Sequence, residues 1–274
     1  MTPPAILYSL PARTEYSYSR EKYEKVPHQG VWAIQFTLYQ LNPSLGFSFA
    51  DGYFGANTET IVKRYQANRG LVADGVAGPA TQKRIIIGWK NSAEESVNVK
   101  EGLLDGFLEA EGGWLLAPVN WSVPGGVDVG AVQNRVYDIS GAQGGWTLSG
   151  GVPTDDLLAR VVFDANKVAE ALDSKNTILK LGTDLRSRYN AYFKGTNSTG
   201  KLIYPYTKGN ERRSWEQGSL YHNWPYAADL QAKGGTLPDK DAPWVPQSLR
   251  NQGITTYQDW ADYYVSKVTK YVQW

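Results

Sequence analysis

Apolar residues recur at helical spacing over much of the chain. Val31, Ile34, Leu38 and Leu41 lie three or four positions apart, so a single helix face would carry all four. Ile61, Val62 and Tyr65 mark a second stripe within residues 59–68, and residues 82–87 continue a third helical stretch. Further along, helical patterns cover Glu101–Glu111, Thr154–Leu172, Thr183–Phe193, Trp215–Lys233 with a break at Trp224-Pro225, and Tyr257–Gln273. In the second of these, Thr154 is placed to cap the helix, with Asp155 and Asp156 in the first turn, where acids suit the helix dipole. Only residues 117–152, rich in Gly, Val and Pro, read as loops or short strands. The pattern predicts a mainly α protein.

Turn residues divide the first third. Residues 1–25 begin with two prolines and continue as a polar run, which reads as an irregular arm packed on the first domain. Asp51-Gly52-Tyr53-Phe54-Gly55-Ala56-Asn57-Thr58 repeats as Asp74-Gly75-Val76-Ala77-Gly78-Pro79-Ala80-Thr81, both Asp-Gly-x-x-Gly-x-x-Thr. The glycines permit a tight turn, and each Thr is expected to cap the helix after it. The result is a three-helix unit over 26–90 with two capped turns. The polar residues 91–99 read as a linker, leaving 100–274 as a second, larger domain.

These positions carry a resemblance. Val31, Ile34-Gln35 and Leu38, then Asp51-Gly52, Phe54-Gly55 and Thr58, then Tyr65-Gln66, Gly70-Leu71, Asp74-Gly75 and Gly78-Pro79-x-Thr81 resemble the three-helix, repeat type of peptidoglycan-binding domain over about sixty residues. Ala77 departs from the bulkier apolar residue usual there. The resemblance implies bacterial peptidoglycan as partner; the individual Asp-Gly turns are read as shaping the fold.

Composition narrows the chemistry. Of 274 residues 42% are hydrophobic and 20% charged, with a net charge of +1, which gives no pull toward nucleic acid or an anionic membrane. The charge is uneven: residues 1–92 hold ten basic against six acidic side chains, and the remainder is slightly acidic. No apolar run approaches the ~20 residues that cross a bilayer, so no membrane insertion is expected, and the start lacks the pattern of a signal peptide. With no cysteine, thiol nucleophiles, Cys-zinc sites and disulfides are excluded. His28 and His222, the two histidines, fall in different halves, too few for a zinc amidase site. Neither a metal nor a cofactor is expected. Carboxylate chemistry, as in glycoside hydrolysis, remains.

Glu111 is the sharpest candidate. In Leu103–Glu111 the residues Leu104, Phe107, Leu108 and Glu111 share one helix face, while Asp105 and Glu109 lie on another. A carboxylate ending an apolar stripe loses hydration and sits at the negative helix terminus; both effects favour the protonated form a general acid needs. Gly112-Gly113 would end the helix and leave room for substrate. An ordinary helix-ending glutamate fits the same pattern.

A second resemblance begins here. Glu111-Gly112-Gly113, then Gly126-Val127-Asp128-Val129-Gly130-Ala131-Val132-Gln133, then Leu220-Tyr221-His222-Asn223-Trp224-Pro225 are similar, in order, to motifs of the lysozyme-like superfamily of goose-type lysozymes and soluble lytic transglycosylases. Departures are Gly112 in place of a common Ser, a segment at about 140–210 that reads as inserted, and His222 between Tyr221 and Asn223. The resemblance implies Glu111 as general acid on the glycosidic oxygen, Tyr221 positioning it or stabilising charge, and Gln133 and Asn223 hydrogen-bonding sugar or N-acetyl groups. Asp128 is the candidate second carboxylate, or else a turn residue beside Gly130. Trp114, Trp121 and Trp224 either stack on sugars or pack in the core. With a water placed by Asp128 the bond is hydrolysed; otherwise the C6 hydroxyl attacks and a 1,6-anhydro sugar forms.

Together the two resemblances imply a phage endolysin: a small three-helix wall-binding domain joined to a larger α-rich lysozyme-like domain, a monomer. It would be made in the host cytoplasm and act on the wall after release. The competing expectations are a non-catalytic wall-binding or virion structural protein, and a host autolysin.

Overall fold

The computed structural model describes residues 4–9, 11, 13–122, 126–138, 148–149, 152–153, 164–238, 240–243 and 245–274. The mainly α expectation holds. The helices are α1 (Arg20–Tyr23), α2 (Gln29–Leu41), α3 (Ala56–Asn68), α4 (Pro79–Val97), α5 (Leu103–Glu111), α6 (Ala165–Leu172), α7 (Ser174–Lys194), α8 (Glu211–Asn223), α9 (Pro225–Ala232), α10 (Gln247–Arg250) and α11 (Tyr257–Val268). Strands β1 (Val119–Ser122), β2 (Gly126–Val129) and β3 (Asn134–Asp138) form an antiparallel sheet in that order, and β4 (Leu148–Ser149) pairs with β5 (Val152–Pro153). The chain packs as two units: Met1–Asn91 with Glu111–Ile178, and Ser92–Ala110 with Leu179–Trp274.

In the first unit, nine of the thirteen residues of α2 are buried, and Leu41 at its end is exposed; Val31, Ala33 and Ile34 are fully enclosed. The N-terminal arm is anchored on this unit. Leu7 is fully buried in a 3-10 turn over Ala5–Tyr8, and Tyr18 bridges Ala77, whose N–H donates to the Tyr18 carbonyl at 2.9 Å. Thr14 Oγ1 donates to the Val119 carbonyl (3.0 Å) and accepts from the Val119 N–H (2.9 Å), tying the arm to β1. Buried Gln82 links three segments: its Nε2 donates to the carbonyls of Tyr16 (3.0 Å) and Ala77 (3.2 Å), and its Oε1 accepts from the Leu116 N–H (3.0 Å).

Three local expectations need correction. Thr58 and Thr81 do not cap helices. The chain becomes helical at Ala56 and Pro79, so each Thr is the third helical residue. The expected linker is helical over 91–97, since α4 runs unbroken from Pro79 to Val97. Ile86, Lys90 and Ala93 recur at helical spacing on its buried side. The expected cap at Thr154, with Asp155 and Asp156, lies outside the described residues; α6 is capped instead by Asp164, whose carboxylate accepts from the Asn166 N–H at 2.9 Å.

In the second unit, Leu104, Phe107 and Leu108 of α5 are fully buried on the predicted stripe, and Leu103 is buried with them. On another face, Gly102 and Gly106 admit the end of α11. A methyl on Gly106 would overlap the Val268 carbonyl, and one on Gly102 the Tyr271 carbonyl. Beside them Lys270 Nζ donates to Glu109 Oε1 at 3.0 Å, and the Tyr271 hydroxyl also donates to that carboxylate. Glycine inside a helix costs ~1 kcal/mol relative to alanine, and here close packing requires it. Gly106→Ala is therefore expected to destabilise by about 2 kcal/mol, the overlap outweighing the propensity gain. Urea unfolding measures this; a more stable variant would contradict it.

Candidate functional site

The Asp-Gly repeats are built around buried glutamines. Gln35 Nε2 donates to Asp51 Oδ1 (3.0 Å), the Tyr53 carbonyl (2.9 Å) and Thr58 Oγ1 (3.0 Å), while Gln35 Oε1 accepts from the Gly52 N–H (2.8 Å). Gln66 does the same one repeat later. Its Nε2 reaches Asp74 Oδ1 (2.8 Å), the Val76 carbonyl (2.9 Å) and Thr81 Oγ1 (3.0 Å), and its Oε1 accepts from the Gly75 N–H (2.9 Å). Each Asp carboxylate also accepts from the N–H two residues on, closing the turn. Gly52 and Gly75 both have positive φ, which frees that N–H for the glutamine. Both glutamines are only 2% exposed or less, so every polar atom in these turns needs its partner.

The segments that follow the two carboxylate candidates of the first unit touch. Glu111 is the last residue of α5 and is half-buried. Gly112 follows with no room for a side chain, because a methyl there would overlap the Ala131 carbonyl. The Glu-Gly-Gly and Gly…Gln segments are thus in backbone contact, which requires glycine at position 112. Gly130 in turn leaves space for the Ala171 carbonyl of α6, and its N–H donates to the Pro118 carbonyl at 3.1 Å. Asp128 is half-buried in β2, opposite Asn120 of β1 and beside an irregularity in the pairing with β3; it is a strand residue, not a turn residue.

Gln133 is committed to this turn. Its Nε2 donates to the carbonyls of Gly130 (3.1 Å) and Pro118 (3.3 Å). Trp114 and Trp121 are buried, at 8% and 7% exposed. The Lys83 ammonium lies 4.6 Å from the Trp114 ring centre. Trp114 and Gln133 also hold φ values of 63° and 52°, a region that costs L-residues of order 1 kcal/mol or more and clusters at functional sites.

Tyr221, Asn223 and Trp224 belong to the second unit. Tyr221 is half-buried beneath the Arg188 guanidinium, 3.8 Å from its ring centre, and both line a cavity of about 250 Å³ with Asp184, His222 and Pro225. His222 meets the Phe107 ring edge-on at 5.3 Å. Asn223 is exposed at the end of α8. Half-buried Trp224 packs against Tyr257 and Trp260, at 5.5 and 5.9 Å between ring centres. Helical spacing gave no sign of a further cluster here: the Tyr192 and Tyr204 hydroxyls both donate to Asp229 Oδ1, at 2.8 and 3.1 Å. Burial first, and then the Asp229 carboxylate, raise both phenols above the ordinary tyrosine value.

The glutamine-centred pair of turns fits an independent match. Residues 28–85 match the family model described as Putative peptidoglycan binding domain. The match supports peptidoglycan as a partner of the chain, and with it association with the cell wall. No curated protein matches the chain. Among the described residues no helix is long and apolar enough to cross a membrane.

The peptidoglycan-binding domain opens on a titratable cap. His28 Nδ1 accepts from the Gly30 N–H at 3.0 Å at the start of α2, with the Tyr18 and Tyr23 ring centres at 5.3 and 5.0 Å. Burial lowers its pKa to about 4, against the opposing pull of Glu15. Protonation would remove the acceptor and charge an enclosed ring. The folded-state pKa lies below that of the unfolded chain, so the contribution is whole above pH ~6.5 and is lost as pH falls toward 4. Partial exposure screens some of it, leaving an expected loss of about 2 kcal/mol between pH 7 and pH 4. Denaturant unfolding at a series of pH values tests this against His28→Asn, which keeps a capping oxygen. Equal acid sensitivity in both proteins would remove His28 as the cause.

Proposed function

We propose that the protein is a peptidoglycan-cleaving glycosidase of the endolysin type, which holds the wall through residues 28–85 and cuts the MurNAc-GlcNAc bond with Glu111. The observation that supports the reading is the backbone contact between Gly112 and Ala131, which joins the residue after half-buried Glu111 to the turn that follows the Asp128 strand. The wall-binding match supplies the substrate class. In this reading Glu111 donates its proton to the glycosidic oxygen as the C1–O bond breaks. The sugar cation is then captured by a water that Asp128 deprotonates, or by the sugar's own C6 hydroxyl with loss of its proton. Gln133 maintains the turn, since its amide hydrogens go to the loop carbonyls. Synthesis in the host cytoplasm and action on the wall after release complete the proposal.

Mass spectrometry of purified peptidoglycan digested with the protein tests the reading. Muropeptides ending in 1,6-anhydro-MurNAc identify a lytic transglycosylase, and reducing MurNAc ends identify a muramidase that uses Asp128. If walls of several chemotypes bind the protein but release no soluble fragment, the chain is a wall-binding or virion structural protein, and the catalytic proposal fails.

A further inference from the structure

The second unit holds a polar cavity of about 360 Å³ lined by neither Tyr221 nor any other candidate site residue. Three glutamines on three helices line it as a relay of side-chain amides. Gln217 Nε2 of α8 donates to Gln231 Oε1 of α9 (3.2 Å), Gln231 Nε2 donates to Gln258 Oε1 of α11 (3.2 Å), and Gln258 Nε2 donates to Asp262 Oδ1 (2.8 Å). Amide orientations are often ambiguous, but this one is fixed at its end. An ionised carboxylate only accepts, so Asp262 obliges Gln258 to donate, and each earlier amide must follow.

That order decides what the cavity presents. Gln231 and Gln258 each spend one N–H and one oxygen lone pair along the relay. Each retains a second N–H and a second lone pair. The cavity wall is thus a row of planar groups with alternating donors and acceptors, anchored at the inner end by Gln217, 8% exposed. Around them stand the carboxylates of Glu216 and Asp262, a loop at Gly234-Gly235, and Tyr206, 47% exposed with the Arg213 guanidinium 3.9 Å from its ring centre. Glu216 is already engaged by Arg212 at 2.8 Å. With Glu216 paired to Arg212, Arg213 and Asp262 balance, so the cavity favours a neutral ligand.

We infer that this cavity is a saccharide-binding site for an N-acetylhexosamine unit of a glycan. Such a sugar carries vicinal hydroxyls, which both donate and accept, and an amide that matches the glutamine row. Its apolar ring face suits an exposed tyrosine. The volume lies at the small end of ligand sites, ~300–1,000 Å³, and suits a short saccharide. The kind of glycan met rests on the wall association of residues 28–85. Binding here does not depend on Glu111 being catalytic.

The test is photo-crosslinking of the full chain with a diazirine-bearing N-acetylglucosamine tetramer, with adducts mapped by mass spectrometry. Adducts are expected on peptides containing Tyr206, Gln231 or Gln258, displaced by unlabelled tetramer and retained in Glu111→Gln. Asp262→Asn keeps the shape but adds a donor, so the relay loses its fixed direction; labelling at this site should fall about tenfold. Tyr206→Ala, at an exposed position, should weaken it severalfold with an unchanged melting curve. Failure to label these peptides, labelling indifferent to both variants, or displacement by an amine-bearing peptide but not by the sugar would each overturn the inference.

Discussion

Gln66→Leu is expected to destabilise the peptidoglycan-binding domain by about 3–5 kcal/mol, and Gln35→Leu by a similar amount. Leucine approximates the volume but supplies no polar atom. It would take the shared donor from Asp74 Oδ1, the Val76 carbonyl and Thr81 Oγ1, and leave the buried Gly75 N–H without its acceptor. A buried polar group left unpaired costs ~1–3 kcal/mol, and the three acceptors lose part of their bonding with it. Hydrogen exchange on the full chain localises the effect: amides within 28–85 should lose protection in either variant. Gln66→Glu keeps the shape but turns the donor into an acceptor facing the Asp74 carboxylate, so it should be no milder. A loss below 1 kcal/mol for both leucine variants would show that the turns hold without their glutamines.

Glu111→Gln is expected to reduce release of soluble muropeptides by about 10²–10⁴-fold, the range a positioned general acid contributes. The substitution preserves size and removes only the transferable proton, so the melting curve should stay near that of the parent. Glu109→Gln is the matched control two residues away. Its carboxylate is held by Lys270 and Tyr271 on the exposed side of α5, and losing such a surface pair costs ~1 kcal/mol or less. Catalysis in Glu109→Gln should remain within a few-fold of the parent. Near-normal cleavage by Glu111→Gln, or an equal collapse in both variants, removes Glu111 from the chemistry.

Much of the fold was legible because local periodicity reports burial. The stripe of α5, the helices on either side of Trp224-Pro225 and the α2 core all follow it. The misread positions are those where a local pattern has two physical meanings. A Thr after a Gly-rich turn suits a helix cap, yet in both repeats the helix starts earlier and the hydroxyl serves a glutamine. Pro79, favoured at a first helical position, was the clue. Polar residues 91–97 suit a linker or an exposed helix equally, and only the spacing of Ile86, Lys90 and Ala93 separates the two. For the candidate site, the sequence supplied the residue types and their order. The contact of Gly112 with Ala131 and the use of Gln133 inside its own turn are long-range packing, which no window along the chain reveals.

The two glutamine-centred turns have the same bonding although sixteen positions separate Gln35 from Asp51 and only eight separate Gln66 from Asp74. The longer connection is taken up by two short 3-10 turns, Pro43–Leu45 and Phe47–Phe49, with none of the turn-forming atoms among them. The same clasp therefore closes over connections of different length. Residues 42–50 are in that sense a spacer: they carry no part of the clasp, and hold their place by packing Phe47 on Phe36 and Tyr39 and burying Phe49.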